Sequence, residues 1–123
     1  MDELVGAYMS NDQLGVRQAA EKAWLAVVEA TDWFLADGHN IRVDADERAH
    51  LQRRKYLLSL DRGDLERTYS HLAQTLHGDV FYFAEPFDPA TLRRFFEEAA
   101  GFVEETTGEA GLVQAVWERL SRV

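Results

Sequence analysis

The chain has 123 residues, 46% of them hydrophobic, no cysteine, and a formal net charge of −9. These figures fit one globular domain with its own core, and they exclude an intrinsically disordered chain, disulfide staples and thiolate metal sites. The negative charge argues against sequence-blind nucleic-acid binding, which needs a broad positive field, though a local basic patch is compatible with it.

Met1-Asp2-Glu3-Leu4 offers neither a basic nor an apolar leader. No apolar run approaches the ~18 residues of a bilayer span, so the expected setting is cytoplasmic with no membrane contact. A short helix is expected over Glu3–Met9, closed by Ser10-Asn11-Asp12. Asn11 or Asp12 then caps a long second helix that runs to Asp37, where Gly38 supplies a left-handed end. The half of it from Ala23 to Ala36 is apolar nearly all round, which makes it the central helix and puts Trp24 in the core.

A third helix is expected over Asp44–Leu60, capped by Asp44 and broken by Asp61-Arg62-Gly63. Asp64 caps the fourth, in which Leu65, Tyr69, Leu72 and Leu76 recur at helical spacing and should face the core. Gly78–Phe87 reads as an aromatic-rich irregular stretch, and Val80–Phe83 is the one segment whose pattern admits a strand. Asp88-Pro89 is a strong helix start: a capping carboxylate, then proline where no N–H is needed. The fifth helix packs through Leu92, Phe95, Phe96, Ala99, Phe102 and Val103 and ends at Gly108. A last short helix carries Leu112, Val113, Val116, Trp117 and Leu120 on one face, a candidate dimer contact. No linker or repeat divides the chain, so residues 1–123 are expected to form a single all-α domain, an up-and-down bundle of four or five helices.

Three constellations carry potential chemistry. Arg48, His50, Arg53, Arg54 and Lys55 cluster on the third helix, where arginine forks suit phosphate oxygens but equally suit carboxylates of neighbouring helices. On the fourth, Arg67, Ser70, His71, Gln74 and His77 share about a third of the circumference at ~100° per residue, an arrangement able to hold an anion or move protons near neutral pH. On the central helix, Gln18, Glu21, Glu29 and Asp32 form a narrow polar stripe beside Lys22. Glu47-x-x-His50 is half of a bundle di-metal motif, but no second Glu-x-x-His exists, so neither metal nor cofactor is expected. Salt bridges from the stripe to nearby arginines are the plainer alternative.

Asn11-Asp12, then Ala19-Ala20-Glu21-Lys22-Ala23-Trp24, then His50, then Leu76-His77-Gly78-Asp79 resemble the PaREP family, within the HEPN class of nucleotide-binding helical domains. Glu21, Lys22 and Trp24 on one long helix are its most specific element, and the likeness covers residues 2–106. Two details depart from the family pattern: Phe81-Tyr82 stands one residue late after His77, and Asp79 replaces an asparagine. Active HEPN ribonucleases also place four to six residues between an arginine and a histidine, whereas Arg67 and His71 are separated by three. The resemblance therefore implies the bundle, homodimerisation and a polar cleft at the dimer interface, but not ribonuclease activity through that motif.

The resulting expectation is a non-enzymatic, homodimeric HEPN-like module. It would bind a nucleotide, an RNA phosphate or a partner protein through Arg53, Arg54, Arg67, His71 and His77. The rivals are a divergent metal-independent ribonuclease using Arg67, His71 and His77, and the partner of a nucleotidyltransferase in a toxin–antitoxin pair.

Overall fold

Small and apolar residues at Ala20, Ala23, Trp24, Val27 and Thr31 repeat every three or four positions and are all buried, which fixes the inward face of the first helix. The computed structural model describes residues 13–108, and among these every regular element is helical. α1 spans Gln13–Trp33 and widens into a π turn over Phe34–Gly38. α2 spans Ala49–Ser59, and α3 spans Gly63–Leu72 before continuing as a π segment, Ala73–Tyr82. α4 spans Pro89–Thr107. The expected helices before Asn11 and after Gly108, with their caps, lie outside the described residues.

α1 packs against the π segment and α4; α2 packs on α3; α3 packs on α4. The expected core stripe of Leu65, Tyr69, Leu72 and Leu76 is buried throughout, as are Leu92, Phe96, Ala99, Phe102 and Val103 of α4. Phe95 is only partly buried at the edge. α4 begins and ends as its sequence dictates. Asp88 Oδ1 accepts the Thr91 N–H at 2.7 Å, Pro89 opens the first turn, and Gly108 closes the helix at φ 72°. No described helix is long and apolar enough to cross a membrane.

Several boundaries differ from expectation, each for a local reason. Gly38 does not take the left-handed position; the chain runs on through the π turn and Asn40 takes it, at φ 54°. Asparagine tolerates that conformation because its short side chain is compatible with it. Asp44 does not cap the third helix, which starts five residues later at Ala49. Asp46 Oδ1 instead accepts the Arg48 N–H at 2.7 Å, a local turn that competes with helix formation. Asp64 sits inside the first turn rather than at the cap, and its carboxylate accepts from Arg62 Nε and Nη2, each at 3.1 Å.

The expected irregular stretch from Gly78 is helical to Tyr82, and Val80–Phe83 is not a strand. Burial of Leu76 and Val80 against α1 overrides the β preference of that run. The second half of α1 is not enclosed on all sides either: Leu25 and Trp33 are about half exposed and Glu29 is exposed, so one face of the helix looks outward among the described residues.

Candidate functional site

The polar residues of three elements meet around one indole ring. Trp24 of α1, 2% exposed, has its ring centroid 5.0 Å from Tyr69 of α3, 5.6 Å from His50 of α2 and 5.9 Å from His77 of the π segment. The two imidazoles stand 6.5 Å apart, centroid to centroid. His50 is exposed and the His77 side chain is 35% exposed, so both are reachable from solvent above the buried indole.

His77 reaches this place because of the π segment. On a regular α-helix it would share a face with Arg67 and His71, but each π turn holds more residues, so side chains advance by less than ~100° per residue. The segment directs His77 to α1, where its Nδ1 lies 2.7 Å from Glu21 Oε2. His71, on the α-helical part, faces α4 instead: its Nδ1 lies 2.9 Å from Glu98 Oε1, beside Phe95.

The basic cluster on α2 is likewise divided. Arg53 is buried and forms a two-pronged bond to Asp32 of α1, Nε to Oδ1 at 2.7 Å and Nη2 to Oδ2 at 3.0 Å. Its Nη1 turns to the site, 3.3 Å from His50 Nδ1 and 3.4 Å from the Tyr69 hydroxyl. Arg54 faces outward and donates to Glu66 at 2.9 Å. Arg48, Lys55 and Arg67 are exposed. The five expected ligand-binding residues therefore do not share one cleft: Arg53 and His77 belong to the Trp24 site, while Arg54 and His71 are paired elsewhere. Of the polar stripe on α1, Glu21 and Asp32 hold His77 and Arg53, whereas Gln18 and Glu29 lie on the exposed face. Lys22 is partly buried on α1, and Asp79 uses its backbone carbonyl to accept the Glu85 N–H at 2.9 Å.

The hydrogen-bond partners assign opposite tautomers to the two histidines. Arginine only donates, so His50 Nδ1 accepts from Arg53, and it also lies 2.8 Å from the Tyr69 hydroxyl. The proton of the neutral ring is then on Nε2, which presents an N–H. Glu21 only accepts when ionised, so His77 Nδ1 carries its proton and the neutral ring presents a lone pair at Nε2. Burial, and then the neighbouring Arg53 and His77, hold the His50 pKa below 6.5, in keeping with a neutral ring. Burial works against the Arg53 charge, yet the Asp32 and Tyr69 bonds outweigh it and raise its pKa. Burial first of all raises that of Tyr69, which keeps its hydroxyl protonated as a donor.

Among the described residues no three His, Cys, Asp or Glu side chains gather as a metal site. What the pair offers is one N–H donor and one lone-pair acceptor, on rings 6.5 Å apart carried by two helices. Such a pair suits a ligand carrying both an anionic oxygen and a hydroxyl, and it suits proton transfer between two positions of one molecule.

Tyr69 and Arg17 were absent from the expected site. Tyr69 reads as a core residue, and its body is fully buried; only the hydroxyl belongs to the site. Arg17 lies one turn before Glu21, a spacing that could have pointed to a shared face. Its Nε donates to the Phe81 carbonyl at 2.7 Å and its guanidinium lies 5.8 Å from that ring's centroid. Comparison of the chain with family models, with curated proteins and with solved structures finds no match in any of the three.

Proposed function

We propose that this protein is a HEPN-like, homodimeric helical module that binds a nucleotide or an RNA end at the His50–His77 pair. The observation that carries this reading is the pairing of His50 Nδ1 with Arg53 and Tyr69 and of His77 Nδ1 with Glu21, contacts that favour opposed tautomers in the neutral rings. The His50 Nε2–H is a donor for a phosphate oxygen, and the His77 Nε2 lone pair is an acceptor for a sugar hydroxyl. A ribose phosphate offers both groups close together. The site works locally, against the −9 net charge, so affinity comes from placed donors rather than from a general positive field.

The test is a titration of a short RNA and a nucleotide panel against the full chain at low and moderate salt. His50→Ala and His77→Ala should each weaken binding, while Arg54→Ala, whose partner is Glu66, should leave it unchanged. Wild type and both histidine variants binding alike would remove the site from consideration. In the same preparation, light scattering should give a particle of twice 14.0 kDa at high micromolar concentration.

The same tautomers favour a second reading, a divergent metal-independent ribonuclease. His77 Nε2 would take the proton of a ribose 2′-hydroxyl as that oxygen bonds to phosphorus, and the His50 Nε2–H would protonate the departing 5′-oxygen. The products are a cyclic phosphate and a 5′-hydroxyl, with atoms and charge balanced. An RNA carrying a single 2′-deoxy position decides it: cleavage must stop at that position alone.

A further inference from the structure

Two aromatic rings stand in water beside the histidine pair. Tyr82 is 67% exposed and Phe83 is 71% exposed, more than any other large apolar side chain among the described residues. Leaving such rings unburied forgoes hydrophobic stabilisation that the fold could have recovered by turning them inward. They also step outward from the site in sequence. The Tyr82 ring is 6.0 Å from His77, and the Phe83 ring is 6.0 Å from Tyr82.

The backbone under them is tied down at several points. The Phe83 N–H donates to Gly78 O and the Glu85 N–H to Asp79 O, both at 2.9 Å, while Arg17 holds the Phe81 carbonyl from α1. Immediately after Phe83 the chain turns away through Ala84, at φ 52°. Phe81, between the site and the shelf, stacks on His77 at 5.9 Å with 21° between the ring planes. The rings are thus displayed on fixed backbone next to a donor–acceptor pair, with one guanidinium close by.

From this arrangement we infer that Tyr82 and Phe83 form a nucleobase-stacking shelf, so that the ligand is a single-stranded nucleotide chain rather than a bare sugar phosphate. The inference rests on the phosphate-and-hydroxyl reading of the histidine pair and extends it to the bases. Aromatic platforms beside a backbone-binding site hold successive bases because every base offers a π face, with little sequence preference. A second copy of this chain is the competing occupant of two exposed rings, and the experiment separates them.

Fluorescence anisotropy of the full chain would be read with a short single-stranded RNA and with an abasic ribose-phosphate chain of the same length. Wild type should bind the base-bearing strand more tightly by roughly fivefold to a hundredfold per stacked base. Tyr82→Ala/Phe83→Ala should erase that margin and leave abasic binding unchanged, with its melting temperature kept because both side chains are exposed. His50→Ala/His77→Ala should lower both affinities together. A margin retained by the aromatic variant, or absent from wild type, overturns the shelf while leaving the histidine site standing; wild type binding neither strand overturns both. An aromatic variant that turns from dimer to monomer in sedimentation, its margin intact, assigns the rings to a second copy and overturns the shelf.

Discussion

Trp24 is packed like a core residue and yet lies against the rings of three polar side chains, His50, Tyr69 and His77. Removing it opens a cavity between α1, α2 and the π segment, and Trp24→Ala should lower stability by about 3–5 kcal/mol in urea denaturation followed by far-UV circular dichroism. A loss under about 1 kcal/mol would contradict its place in the core. His50 gives the residue scale a pH signature. Its folded pKa lies below 6.5, so between the two values the unfolded chain binds the extra proton. Stability contributed by the neutral ring is present above pH 6.5 and is lost as pH falls toward the folded value. Arg53 and His77 press against its charging, while Asp32 and Glu21 support it from α1. His50→Gln should therefore flatten the fall in melting temperature between neutral and mildly acidic buffer; a fall as steep as wild type would exclude His50 as its source.

At the scale of elements, one substitution should act with opposite sign at two positions of the same helix. Gly101 lies exposed within α4 in ordinary helical conformation, with nothing within 4 Å of an added Cβ, so Gly101→Ala should stabilise by roughly 0.5–1 kcal/mol. Gly108 has equal room but closes the helix at φ 72°, so Gly108→Ala should destabilise by roughly 1–2 kcal/mol. Chemical denaturation of both variants checks the pair, and equal signs would refute the α4 boundary. That boundary was legible because caps and helical periodicity act within a few residues. The widening of α3 into a π segment was not, since Ala73–His77 reads as an α-helix that simply continues and Gly78–Tyr82 as an irregular aromatic run. The missing information placed His77 on the face of His71 in sequence and on the side of Glu21 in the molecule.

The site is a property of the whole chain, and its bonds join residues that no local pattern connects. Glu21 and His77 are 56 positions apart, Asp32 and Arg53 are 21, and His50 and Tyr69 are 19. Each residue type was legible as polar; its partner was not, because choosing among several carboxylates and cations depends on packing. That packing is also uneven. α2 buries only Arg53 and Leu57 and packs extensively on α3 alone, whereas α1 is clasped by both the π segment and α4. Elements with so little apolar contact open without unfolding the remainder, so amide deuterium exchange in α2 should proceed at a free energy well below the global value, while Trp24 and Leu76 amides exchange only with the whole domain. Uniform protection across the four helices would show a single cooperative unit. With α2 opening on its own, the two histidines live on different clocks: His77 is fastened to the slow part of the molecule through Glu21, whereas His50 rides on the fast part and meets it only while α2 is docked.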